Sequence, residues 1–269
     1  MQPRLVAISD ELHQRVQRFA AGESAETFEA LALSLAHFQT QASPGFRRLL
    51  QASGRQLQSL DDIPAVPTEA FRLSRVATFP AELEQLRFFT SGTTGSARGT
   101  HAMRRADTYE QLSLAFGRQA LLPGREGAGP LVTALAPAPS VPPTSSLGYM
   151  MARFMESFDG QPLDSAEAAF DVAAPARWLF SERGVDLPGL MRAVRAARAR
   201  QQPLLLLGTA FALVQLLDDL AGTGLPLPPG SLVMQTGGFK GRTREVSMAE
   251  LRLGLSRALA LEPARIVGE

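Results

Sequence analysis

Residues 203–220 read PLLLLGTAFALVQLLDDL. Four consecutive leucines suit a strand buried on both faces, because a strand with one wet face would alternate apolar and polar residues. Gly208 and Thr209 break the run, and Ala210 to Leu220 then carries apolar residues at helical spacing. Strand, turn and helix in that order is the unit from which parallel sheets with crossover helices are built. The apolar run from Pro203 to Leu217 is shorter than the ~20 residues of a membrane span. It is followed by Asp218 and Asp219, so it reads as a buried core element.

The same alternation extends on both sides. Upstream, Leu131 to Ala136 is a short apolar run suited to a strand. It is followed by the Pro-rich loop APAPSVPPTSS and a helix over Leu147 to Phe158. Trp178 to Phe180 makes a further short strand, and Leu187 to Gln202 a helix whose Arg192, Arg195, Arg198 and Arg200 form a solvated face. Downstream, Ser231 to Gln235 is another strand, Ser247 to Leu261 a helix, and Arg265 to Val267 begins a further element. The fold class expected is therefore α/β, with a mainly parallel sheet flanked by helices.

The N-terminal part reads differently. Ser9 to Ala20 and Ser24 to Gln41 are helical, with Ser9 and Ser24 as N-caps and Phe28, Leu31, Leu33, Leu35 and Phe38 facing the core. Prolines in IPAVPTEAFR, 63–72, predict an extended connector. Asp107 to Leu121 is a helix that Asp107 could cap. Residues 1–60 are expected to be a helical segment packed on a main α/β domain over 61–269.

Composition excludes several classes of function. The chain has 269 residues, 27 Lys plus Arg against 26 Asp plus Glu, three histidines and no cysteine. Near-zero net charge gives no support for binding nucleic acid or a membrane surface. Without cysteine there are no disulfides, thiolate metal sites or cysteine nucleophile. His13, His37 and His101 are too few for a multi-histidine metal site. No G-x-S-x-G elbow argues for a serine hydrolase. The N-terminus turns polar within a few residues, unlike a secretory signal, so a cytoplasmic protein is expected.

Two glycine-bearing stretches remain. Phe88 to His101, FFTSGTTGSARGTH, reads as a strand entering a tight loop. Gly92 and Gly95 let the backbone turn, and Ser91, Thr93 and Thr94 supply hydroxyls beside exposed N–H groups. Arg98 could neutralise phosphate charge with its fork of donors. The string is neither a Walker loop nor a dinucleotide fingerprint. Farther on, Thr236 to Arg242, TGGFKGR, follows a strand. Its paired glycines would let a flat ring approach the backbone, Phe239 could stack on it, and Lys240 and Arg242 could meet an anion. A tight hairpin with surface charges fits that segment equally.

Thr90, Ser91, Gly92, Thr93, Thr94 and Gly95 resemble, residue for residue, the phosphate-binding signature of adenylate-forming enzymes, [ST]-S-G-T-T-G-x-P-K-G. Ala97 stands for its proline and Arg98 for its lysine. SGTTG, TSSLGYMM, LLLLGTAFALVQLLDDL and MQTGGFKGR occur in the order seen in acyl-protein synthetases, the LuxE-type enzymes of bacterial luminescence and their relatives. That likeness covers about residues 60–269. It implies the N-domain of an adenylate-forming fold. It also implies ATP-dependent activation of a carboxylic acid, a fatty acid or similar acid, as an acyl-adenylate for transfer to a thiol.

Residue by residue, the resemblance implies that Thr90, Ser91, Gly92, Thr93, Thr94 and Gly95 clasp the β- and γ-phosphates. Arg98 takes the part of the signature lysine, Thr236, Gly237 and Gly238 lie against adenine, and Lys240 serves beside them. ATP and Mg²⁺ are the implied cofactors, with acyltransferase or reductase proteins as partners. Family members continue beyond a stretch like RIVGE into Tyr-Gly-x-Thr-Glu, whereas this chain ends at Glu269. The expectation is a truncated domain, either a fragment or a remnant without catalysis, that turns over poorly. An aryl-acid ligase acting on coenzyme A and a non-catalytic binding partner are the competing readings.

Overall fold

The computed structural model describes residues 3–90, 98–122, 124, 129–159, 171–237 and 246–268. The chain forms two compact units, residues 1–116 with 140–146, and residues 117–139 with 147–269.

The second unit is an α/β structure around a four-stranded parallel sheet. Its strands are β3 (Leu131–Leu135), β6 (Leu204–Thr209), β7 (Leu232–Thr236) and β8 (Ile266–Gly268), side by side in that order. All three neighbouring pairs are parallel, with Leu131 opposite Leu204, Leu205 opposite Leu232 and Val233 opposite Ile266. The four leucines of β6 are 0–1% exposed. Alternation explains how one strand buries them all. Leu204 and Leu206 join a core with α7 (Leu187–Ala199), α8 (Ala210–Leu220) and α9 (Met248–Leu259), and Leu205 and Leu207 point to the other face. That second face is also dry, since Val132 and Ala134 of β3 are fully buried. A π-helical turn at Met155–Asp159, which continues α6 (Ser146–Phe154), packs against β3.

Local sequence sets the ends of these helices. Thr209 caps α8 by accepting from the Ala212 N–H, and Asp186 caps α7 by accepting from the Gly189 N–H. Ser247 and Glu250 close a reciprocal capping box on α9. In α7 Ala193, Val194 and Ala197 turn inward, and Arg192, Arg195 and Arg198, with Arg200 at its C-cap, are exposed, as the sequence suggested. Arg177 is fully buried and its Nη1 donates to Asp159 Oδ2 at 2.6 Å, while the same carboxylate oxygen accepts from the Val132 N–H at 3.0 Å. This ion pair anchors the start of β3. A short antiparallel pair, β4 (Phe180–Ser181) with β5 (Gly184–Val185), lies outside the main sheet.

The first unit carries α1 (Pro3–Ala20), α2 (Phe28–Ala42), α3 (Pro44–Ser53) and the short α4 (Ala70–Leu73). It also carries the antiparallel pair β1 (Leu86–Phe89) and β2 (Thr100–Met103), and residues 107–116 of α5 (Asp107–Leu121). Several cap assignments need correction. Ser9 lies inside α1, not at its start, and its buried hydroxyl accepts from Arg104 Nη2 at 2.9 Å. Thr27, not Ser24, caps α2, which leaves Phe28 at the first turn, 63% exposed and outside the core. Asp107 is the first residue of α5, and its carboxylate receives Arg105 Nη2 at 2.5 Å. The connector 63–72 is extended only as far as its prolines; beyond Pro67 the chain coils into α4.

Candidate functional site

Strand β1 delivers the chain to the glycine-rich loop, and β2 takes it away again. Because Phe89 pairs with Thr100, the loop is a hairpin connection between antiparallel strands rather than a turn from a strand into a helix. Its base is closed twice. The Thr90 N–H donates to the Gly99 carbonyl at 2.8 Å, and the Gly99 N–H donates to Thr90 Oγ1 at 2.8 Å. Thr90 therefore spends one lone pair of its hydroxyl oxygen on the hairpin and keeps its O–H free to donate. Gly99 is buried, and a Cβ there would stand 3.1 Å from both Cγ2 and Oγ1 of Thr90. Glycine fits for reasons of space.

The rest of this neighbourhood is fixed by aromatic packing. Phe88 is 1% exposed, and its ring lies 5.8 Å from that of Tyr109 on α5. The Tyr109 hydroxyl donates to the Ser146 carbonyl at 3.2 Å. The Phe89 N–H donates to the Thr144 carbonyl at 2.9 Å, so the Pro-rich loop runs beside β1, one residue before the glycine loop begins. Two stretches some fifty residues apart in sequence, both part of the resemblance described above, are thus neighbours. Behind β2, Phe71 stacks on His101 with centroids 4.4 Å apart.

Arg98 is exposed at the downstream foot of the hairpin and makes no hydrogen bond or ion pair to the described residues. A phosphate there would meet an uncommitted guanidinium. Ser91, Gly92, Thr93, Thr94 and Gly95 lie outside the described residues, so their assigned contacts rest on sequence alone.

In the second unit, Thr236 ends β7 and is 2% exposed. Gly237 follows with φ of +68° and open space where a Cβ would be. Glycine adopts this left-handed backbone without the strain a side chain would bring. Thr209 of β6 is directly opposite Thr236, and Gln235 Nε2 donates to the Gly237 carbonyl at 3.4 Å. Carboxyl ends of parallel strands are where open α/β sheets bind ligands, at points where strand order reverses. Among the described residues the order follows the chain from β3 to β8, and no reversal occurs. Gly238 and Lys240 lie outside the described residues, as does the expected meeting of Thr93 with Gly238 across one crevice.

A polar cluster in the first unit joins α1 to the start of α5. His13 Nδ1 lies 2.8 Å from Thr108 Oγ1, and Arg104 Nη2 donates to Asp10 at 2.6 Å. Arg105 beside Asp107 holds that carboxylate well below its ordinary range, at about 2. Burial pushes the His13 imidazole down, and the charges of Arg104 and Arg105 add to this. The cluster fastens α1 to the start of α5 in this unit.

Among the described residues, no group of three His, Asp or Glu side chains is placed to hold a metal ion. None of the described helices is long and apolar enough to cross a membrane. Compared with known protein families, curated proteins and solved structures, the chain matches none.

Proposed function

We propose that the chain is the phosphate- and base-gripping part of an adenylate-forming ligase of the acyl-protein synthetase type. The observation that carries this reading is the hairpin base. A loop of sequence SGTTGSA is pinned at both feet by Thr90 and Gly99, with the uncommitted Arg98 beside it. Backbone N–H groups and small hydroxyls in such a loop suit phosphate oxygens, and a cation at its foot suits their charge. Fold and function beyond the parallel α/β sheet rest on this site and on the resemblance in sequence.

The chemistry asked of the protein is alignment. A carboxylate attacks the α-phosphate of ATP, and pyrophosphate leaves as the acyl-adenylate forms. Ser91, Thr93, Thr94 and the loop N–H groups hold the departing phosphates, and Arg98 draws charge toward them. Gly237, with open space where a side chain would stand, suits the close approach of an adenine, and Lys240 is assigned to the carboxylate. Mg²⁺ would arrive with the nucleotide, held largely by phosphate oxygens and water, which asks little of the protein's own carboxylates. No side-chain nucleophile is required for this step.

The test is exchange of labelled pyrophosphate into ATP as a function of added acid, across fatty and aryl acids. Exchange that depends on one class, and that falls in Arg98→Ala, supports the reading and names the acid. Nucleotide binding without exchange limits the reading to the grip. Absence of both overturns it.

A further inference from the structure

Helix α7 presents a face that the nucleotide reading does not use. Its inner side is fixed in the core by Leu190, Ala193, Val194 and Ala197. Its outer side carries Arg192, Arg195 and Arg198 on successive turns, with Met191 beside them, 42% exposed. The row is about 9 Å long along the helix axis.

The charges of this face are unbalanced. Helix α7 contains no Asp or Glu. A face made for solubility alone interleaves both signs, because like charges on neighbouring turns work against the helix. Among the described residues, the one ion pair that these arginines make is Arg192 Nη2 to Asp186 Oδ2 at 3.6 Å, between side chains 57% and 46% exposed, where such a pair is weak. Arg198 Nη2 donates to the Pro226 carbonyl at 2.5 Å, which fixes its head and leaves its charge unmatched. Arg195, between the two, makes no hydrogen bond or ion pair to the described residues. Residues 221–230, which pass the end of the helix at Pro226, hold no charged side chain.

We infer that the outer face of α7 docks an acidic amphipathic helix of a partner protein. Carboxylates one turn apart on that helix meet Arg192, Arg195 and Arg198, and an apolar residue covers Met191. Charge complementarity and the shared helical repeat select this occupant. Nucleic acid fits less well, since a specific complex commonly engages about six to ten phosphates, and the chain's net charge is only +1. The face is also separate from the Thr236–Gly237 turn. Helix α7 leads into the amino end of β6, and Arg198 reaches the loop before β7, whereas the turn follows the carboxyl end of β7. Docking here therefore needs no nucleotide.

Fluorescence anisotropy of the full chain tests the proposal. The probe is a labelled alanine-rich helical peptide with glutamates one turn apart along one face and a leucine beside them. It should bind saturably in low salt and be released in high salt, and the same peptide with glutamines in place of glutamates should not bind. Arg195→Ala should weaken binding about threefold, the size of one exposed ion pair, and Arg192→Glu/Arg195→Glu should abolish it. The control is Arg252→Glu/Arg257→Glu on α9, which makes the same change in net charge at exposed positions of another helix and should leave binding intact. Melting curves of both double variants establish that each is folded. Absence of saturable binding would overturn the inference. So would an equal loss in the two double variants, or tighter binding of a thymidine oligonucleotide or phosphatidylglycerol vesicles than of the peptide.

Discussion

Replacing Gly99 with alanine puts a definite number on the hairpin base. The added Cβ would stand 3.1 Å from Thr90 Cγ2 and 3.1 Å from Thr90 Oγ1, closer than van der Waals contact allows. The threonine cannot swing away cheaply, because its Oγ1 accepts from the Gly99 N–H at 2.8 Å, and rotation would leave that donor unpaired. Overpacking at a fixed site costs about 1–3 kcal/mol. A buried position touching one side chain belongs in the lower half of that range, at about 1.5 kcal/mol. Urea unfolding followed by circular dichroism reads this as a lower midpoint with unchanged slope. The companion change is Thr90→Ser, which removes Cγ2 and keeps the accepting oxygen. In Gly99→Ala/Thr90→Ser one of the two close contacts is gone, so the double variant should recover about half of the loss, a coupling of about 0.7 kcal/mol. Simple additivity of the two changes would refute the claim that Gly99 is there to make room for Thr90.

Further outcomes follow from the same coordinates. Acidification should destabilise the first unit in two windows. The His13 pKa is lowered by folding, so its contribution is complete above the unfolded value of 6.5 and declines as pH falls below it; His13→Gln should remove that window from a pH series of melts. Asp107 is also lowered, to about 2, so its contribution is present above 3.8 and is lost as pH falls toward 2. That shift is worth about 2 kcal/mol at face value, and about 1 kcal/mol once its 42% side-chain exposure is allowed for. In the second unit, Asp159→Ala removes the carboxylate that Arg177 and the Val132 N–H share and should cost about 3–5 kcal/mol, while Asp159→Leu combined with Arg177→Met should recover much of it in chemical denaturation. Thr133 is fully buried and its Oγ1 has no hydrogen-bond partner among the described residues, so Thr133→Val should raise the stability to unfolding by about 1 kcal/mol.

The second unit was the more legible in sequence, for a physical reason. Its strands are buried on both faces, so Leu204–Leu207 show as an unbroken apolar run. Its crossover helices start on recognisable caps such as Thr209 and Ser247. The first unit hid more. Strand β2 reads Thr-His-Ala-Met, each only half-buried, and no apolar run marks it. The hairpin that gives the glycine loop its shape therefore could not be read, although strand β1 could. Helix α3 escaped notice although Ser43 caps it and Pro44 occupies its first turn. Phe28 shows the limit of periodicity, since it fits an apolar stripe but falls in the opening turn, where the stripe faces water.

For the candidate site, the sequence supplied the residue types and the structure supplied their company. Thr90 was expected to meet phosphate, but its side-chain oxygen also closes the hairpin. Gly99, at the position of the signature's final glycine, is a close-packing point. The placement of Thr144 beside Phe89, and of Tyr109 against Phe88, depends on contacts between segments far apart in sequence, which no local pattern announces. A cavity of about 700 Å³ beside Phe71 escaped for the same reason. Its walls come from three separate stretches, residues 39–49, 66–79 and 102, and only the proline-bearing segment drew attention in the sequence.

The most direct measurement of the central claim compares ATP with AMP, in Mg²⁺, for binding to the wild-type chain and to Arg98→Ala. If the hairpin holds the terminal phosphates, ATP binds more tightly than AMP to the wild type. Arg98→Ala then weakens ATP about tenfold, the cost of one charge-assisted contact, and leaves AMP unchanged. Equal affinity for the two nucleotides, or an ATP affinity indifferent to Arg98, would contradict the account.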